Sequence, residues 1–169
     1  MRIIQVVGYK NAGKTTLACE LVRQLTSLGL RVGTLKHDAH DFEPDIAGKD
    51  TWQHRQAGAQ VTAITSPSRT AWVQEEPTSL DDLVARMAKL SLDYLIIEGF
   101  KSAAYPKIVL LRSEQDEDLL TLPNIIAAAI REPYKNIENI SATQAIPMFY
   151  HPDIHSFDAI VAFVRAYNE

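Results

Sequence analysis

A chain of 169 residues with a formal net charge of −4 is sized for a single domain, residues 1–169, and lacks the overall basicity of a dedicated nucleic-acid binder. With 46% hydrophobic and 22% charged residues it has the composition of a globular protein, and no apolar run approaches the roughly 20 residues of a membrane helix. Cys19 is the only cysteine, so an internal disulfide framework is excluded; with no secretory leader pattern after Met1, the expected location is the cytoplasm.

Ile3 to Val7 is a continuous apolar-rich run that stops at Gly8, the pattern of a buried parallel strand. A glycine-containing loop leads into Lys14 to Leu28, where Leu17, Leu21, Val22, Leu25 and Leu28 recur at helical spacing, and Gly29 suits the position beyond the helix end. Leu30 to Leu35 reads as a second strand. Lys36 to Gly58 has no clear period and is long for a compact-domain loop, so it is expected to be functional, with a short helix around Asp50 to Ala57. Ala59 to Thr65 and Arg69 to Gln74 flank Ser66-Pro67-Ser68 and predict an antiparallel hairpin. A helix over Ser79 to Leu90 follows, with Thr78 as its expected N-cap. Asp93 to Glu98, Lys107 to Leu111 and Ile125 to Ile130 are further strands, with an acidic loop at Glu114 to Asp118. Ile146 to Phe149 and a helix capped by Ser156 close the chain. Strand and helix alternation predicts an α/β protein: a three-layer sandwich with a mostly parallel sheet and an added antiparallel β-hairpin.

The first turn carries Gly8-Tyr9-Lys10-Asn11-Ala12-Gly13-Lys14-Thr15, which satisfies the phosphate-loop spacing between a strand and a helix. The glycines let the backbone approach an anion, and the N–H groups of the turn and helix start form a cradle that includes Asn11 and Ala12. Lys14 suits the β- and γ-phosphates and the Thr15 hydroxyl suits Mg²⁺, with Thr16 beside a neighbouring phosphate. Such a site needs a carboxylate at the end of an adjacent buried strand. Glu98, after Leu95-Ile96-Ile97 and before Gly99, is the candidate.

Guanine is often read by Asn-Lys-x-Asp after a late strand, but here that strand runs into Arg131-Glu132-Pro133, so motif alone does not choose GTP over ATP. The segment from Lys36 to Asp41 begins at the carboxyl end of a strand, where open α/β sheets bind ligands. Its two histidines and two aspartates have no neighbouring cysteine, which disfavours a transition-metal site. A switch segment near the γ-phosphate fits better, with Asp38 or Asp41 reaching a Mg²⁺ shell through water. Lys10, Lys36, Lys101, Lys107 and Arg112 are candidates for a positively charged groove.

Residues 8–17, 34–40, 48–59 and Ile97-Glu98-Gly99-Phe100-Lys101 together resemble the MobB family of molybdopterin-guanine dinucleotide biosynthesis adapter proteins, and the likeness runs through Arg112. The resemblance implies a GTP-binding protein with at most weak GTPase activity that assists the guanylyltransferase MobA. It also implies a homodimer, for which the hairpin is a reasonable element. Lys14, Thr15 and Glu98 would then form the nucleotide and Mg²⁺ site. Lys36, His37, Asp38, Asp50, Arg55 and Lys101 would face the nucleotide or a molybdopterin phosphate. Two other readings stand beside this one: a small-molecule kinase, which needs an acceptor pocket and lid, and a metal-insertion GTPase, whose usual cysteine and histidine motif is missing.

Overall fold

The computed structural model describes residues 1–38, 40–131, 134, 146–151 and 157–167. They fall into two compact units, Met1–His37 with Arg86–Glu169, and Asp38–Ala85.

The first unit is built on a six-stranded sheet. Its strands are β1 (Arg2–Val7), β2 (Val32–Lys36), β5 (Tyr94–Glu98), β6 (Lys107–Leu111), β7 (Ile125–Arg131) and β8 (Met148–His151), in the order β2-β5-β1-β6-β7-β8. Every neighbouring pair is parallel, so all six carboxyl ends share one edge. The register sets Val6 beside Glu98 and Lys36 beside Glu98, placing the acid between the first two strand ends. β5 and β6 are buried along their whole length, which is why both read as unbroken apolar runs.

Side chains alternate across the sheet and divide the core in two. Ile4, Val6, Ile96, Ile108 and Leu110 pack against Leu17, Leu21 and Leu25 of helix α1 (Lys14–Ser27) and Ile160, Val161 and Val164 of a C-terminal helix, Asp158–Ala166. Val7, Val109, Leu111 and Ile130 face the other way, onto Leu119 and Leu120. Those two leucines belong to a 3₁₀ helix, Glu114–Thr121, where the sequence suggests an acidic loop. The loop reading fails because Asp116 is not solvated: it is buried and bound by Arg112. The end of α1 is closed by Gly29 N–H to the Thr26 carbonyl and Leu30 N–H to the Leu25 carbonyl, as its glycine predicts.

The second unit holds helix α2 (Asp50–Gln56), the antiparallel pair β3 (Val61–Thr65) and β4 (Thr70–Gln74), and the start of α3 (Leu80–Ala88). The cap of α3 is Ser79 rather than Thr78: the Ser79 hydroxyl accepts from the Asp82 N–H at 3.1 Å and donates to the Asp82 carboxylate at 2.7 Å. The last strand begins at Met148, two residues later than its apolar run suggests. Ser156, the expected cap of the final helix, lies outside the described residues. No described helix is long and apolar enough to cross a membrane.

Candidate functional site

β1 delivers the chain at Gly8 to a turn that ends at Gly13, and α1 starts at Lys14. A Cβ on Gly8 would stand 3.0 Å from the Ala12 Cβ and 3.3 Å from the Leu110 Cβ, so the turn closes this tightly only on glycine. Asn11 adopts φ 63° and Gly13 φ 94°. Among the described residues no side-chain hydrogen bond caps α1, and its first turn holds no acid. The amide donors of a helix start, which most helices satisfy with a side chain, are therefore left for an anion. Ala12 N–H turns back to the Tyr9 carbonyl at 3.2 Å, holding the curl.

Lys14 donates to the Tyr9 carbonyl at 2.8 Å, across the mouth of its own loop. Burial pushes its ammonium below the ordinary lysine value, and Lys101, Lys36 and Arg112 add to the effect while Glu98 opposes it. Four cations thus share one end of the sheet, a field that a polyphosphate would relieve. Thr15 donates to Glu98 Oε1 at 2.8 Å, and Lys36 Nζ lies 3.9 Å from the same oxygen. A hydroxyl and a carboxylate held together are the hard oxygen donors that suit Mg²⁺.

Glu98 is fixed by the turn that follows it. Gly99 has φ 93°, and a Cβ there would sit 3.1 Å from the His37 Cβ, so the chain passes His37 only because glycine stands at this point. Phe100 is also left-handed, at φ 51°. Gln5 holds this unusual turn: buried in β1, it donates through Nε2 to the Gly99 and Phe100 carbonyls, each at 2.6 Å. Lys107, fully buried on β6 and paired with Gln5 in register, donates to the carbonyls of Ala103 at 2.5 Å and Pro123 at 2.7 Å. Burial lowers the Lys107 pKa. Lys107 is therefore committed to the backbone and corrects its reading as part of an anion groove.

The pinned turn presents Phe100 to the His37 ring, with centroids 4.7 Å apart, and His37 N–H donates to the Glu98 carbonyl at 2.9 Å. Lys101 lies 3.6 Å above the Tyr9 ring. Tyr9 donates its hydroxyl proton to Asp118, which holds the phenol above its ordinary pKa. Arg112 is also engaged rather than free to line a groove. It donates to both carboxylate oxygens of Asp116, at 3.0 and 3.1 Å, and to the Lys10 carbonyl of the phosphate loop at 2.7 Å. Burial alone would raise the Asp116 pKa, but the bonds from Arg112 prevail and hold it below the usual carboxylate range.

The first unit therefore gathers Gly8, Lys10, Asn11, Ala12, Gly13, Lys14, Thr15, Thr16, Lys36, His37, Glu98 and Lys101 at or beside one sheet edge. The Lys10 side chain is exposed, and its carbonyl is what the fold uses. Asp38, Asp50 and Arg55 belong to the second unit. Asp38 Oδ1 accepts from the His40 N–H at 3.2 Å and lies 3.6 Å from His40 Nδ1. Asp50 opens α2 and is exposed. Arg55, near the end of the same helix, binds Glu75 at 2.9 Å and Glu43, while its buried Nε has no partner among the described residues. Sequence reading passes over Gln5, although a lone amide within Ile3-Ile4-Gln5-Val6-Val7 is the signal that would have marked it.

The profile of the MobB family, described as molybdopterin guanine dinucleotide synthesis protein B, matches residues 3–131. A molybdopterin-guanine dinucleotide biosynthesis adapter protein of Escherichia coli (strain K12) is 36% identical over 138 residues, spanning 78% of this chain and 79% of that protein. The crystal structure of Bacillus subtilis MobB aligns at a TM-score of 0.78 and 35% identity, covering 98% of this chain and 97% of its own. A MobB protein homolog from Bacillus stearothermophilus aligns at 0.76 and 33% identity with the same coverage, 98% and 97%.

Proposed function

The chain belongs to the molybdopterin guanine dinucleotide synthesis protein B family, and from that premise we propose that it is a GTP-binding adapter of molybdopterin guanine dinucleotide biosynthesis that assists the guanylyltransferase MobA. The observation that carries the nucleotide part is the phosphate loop, whose uncapped helix start lies beside the Thr15–Glu98 pair. The turn from Gly8 to Gly13 would hold the phosphates through its backbone donors. Lys14 would exchange the Tyr9 carbonyl for a phosphate oxygen. Thr15 and Glu98 would hold Mg²⁺, which when bound screens phosphate charge and stabilises a departing phosphate.

Lys36, His37 and Lys101 would face the nucleotide from neighbouring strand ends, and Asp38 follows His37 directly in the chain. Asp50 and Arg55 would serve the nucleotide or the molybdopterin phosphate. The adapter role supports slow hydrolysis, because an accessory protein gains from a long-lived bound state. The protein would act in the cytoplasm as a homodimer. The dimer reading is supported by the hairpin, where Val61 and Trp72 stand on one face and are 46% and 65% exposed.

The test is direct association of this protein with MobA by interferometry in the presence of GTP and of GDP. Binding in either nucleotide state is expected, and no binding in both would end the adapter reading.

A further inference from the structure

Resting on the nucleotide-site reading above, we propose that Arg131 binds the ester-linked phosphate of the nucleotide, the one joined to the ribose. β6 lies between β1 and β7, and all three are parallel, so Arg131 at the carboxyl end of β7 shares an edge with the phosphate loop. A cavity of about 320 Å³ is lined, among the described residues, by residues 11–16 and by Arg131 from elsewhere in the chain. None of these described lining residues is an acid. Arg131, which is exposed, thus lines one cavity with the first turn of α1, and none of the described residues lining it carries a negative charge.

The position along the phosphate chain follows from Thr15. Its hydroxyl is bound to Glu98 at 2.8 Å, and Glu98 does not line the cavity that Arg131 shares. The metal side therefore lies on one flank of the helix start and Arg131 on the other, beside Thr16. A chain of phosphates whose terminal groups meet Lys14 and the Thr15–Glu98 pair presents its nucleoside end to that second flank. A guanidinium there matches a phosphate with two parallel N–H donors, which a lysine does not reproduce. Arg131 stands where many GTPases carry base-reading residues, and its chemistry assigns it an anion instead.

The experiment titrates the wild type, Arg131→Ala and Arg131→Lys with GTP, GDP and the two diastereomers of guanosine 5′-(α-thio)triphosphate. Arg131→Ala is expected to weaken GTP and GDP alike by roughly tenfold or more, with Arg131→Lys between it and the wild type. The wild type should prefer one thio diastereomer, and Arg131→Ala should bind the two equally. Melting temperatures should match, because Arg131 is exposed. GTP affinity retained within twofold in Arg131→Ala would overturn the proposal. So would a loss that leaves the diastereomer preference intact, which would move the contact to base or ribose. Failure of the wild type to bind any guanine nucleotide is a distinct result, and it would overturn the underlying nucleotide reading.

Discussion

The two compact units hold their functional side chains by different means. In the first, Lys14, Thr15 and Glu98 stand at the ends of strands and a helix rooted in a buried apolar core, and polar side chains beneath them lock the turns. In the second, none of the described residues from Asp38 to Ala85 contributes to the buried apolar core, and Arg55 gathers Glu43 and Glu75 instead. Sheet ends impose a geometry before a ligand arrives, whereas a unit without a buried core can be reshaped by one. The residues proposed to hold phosphate and metal sit in the first kind of region. Asp50 and Arg55, proposed to serve the nucleotide or the molybdopterin phosphate, sit in the other.

The sharpest break of that contrast is Lys14→Ala. The loop should keep its shape while GTP affinity falls by about a hundredfold or more, measured by calorimetric titration. Affinity within threefold of the wild type would show that the loop is not the phosphate site.

Gln5→Leu tests the locking itself. Two carbonyls, of Gly99 and Phe100, would lose their donor inside the protein, and stability to urea should fall by about 2–3 kcal/mol. A fall below about half a kcal/mol would mean the turn after Glu98 holds itself.

Arg55→Ala should act on the other unit alone. Limited proteolysis should cut more readily within residues 38–85, while the main urea transition stays in place. Unchanged proteolysis would show that the carboxylates it gathers do not organise this unit.

The smallest expected effect concerns pH. Burial lowers the Lys107 pKa in the folded state below that of the unfolded chain, so the unfolded chain binds more protons between the two values. Stability contributed by Lys107 is therefore present above the unfolded value and is lost as pH falls through the folded one. The wild type should gain stability over Lys107→Met as pH rises toward 10.5, the ordinary lysine value. A pH-independent difference would contradict the burial argument.

What the sequence makes legible divides along the same line. The phosphate loop is a local pattern, because spacing, glycine and the adjoining helix are all set within a few residues, and Glu98 is marked by the apolar run before it. The alternation of strand and helix carries the sheet for the same reason. Contacts between distant segments leave no such mark. Lys107 and Arg112 look like spare cations until the Ala103, Pro123 and Lys10 carbonyls and Asp116 are brought beside them. Glu114 to Asp118 looks like a solvated loop until Leu119 and Leu120 are seen to anchor the helix that contains it and Arg112 to bind the buried Asp116. The exchange of Thr78 for Ser79 as the cap of α3 is a one-residue matter that only the hydrogen bonds decide.

Calorimetric titration of the purified protein with GTP and with ATP, each with Mg²⁺, decides whether this is a guanine-nucleotide site. Saturable GTP binding at one site per chain and a clear preference for GTP over ATP are expected. Equal affinities, or a preference for ATP, would contradict that expectation and bring the kinase reading forward.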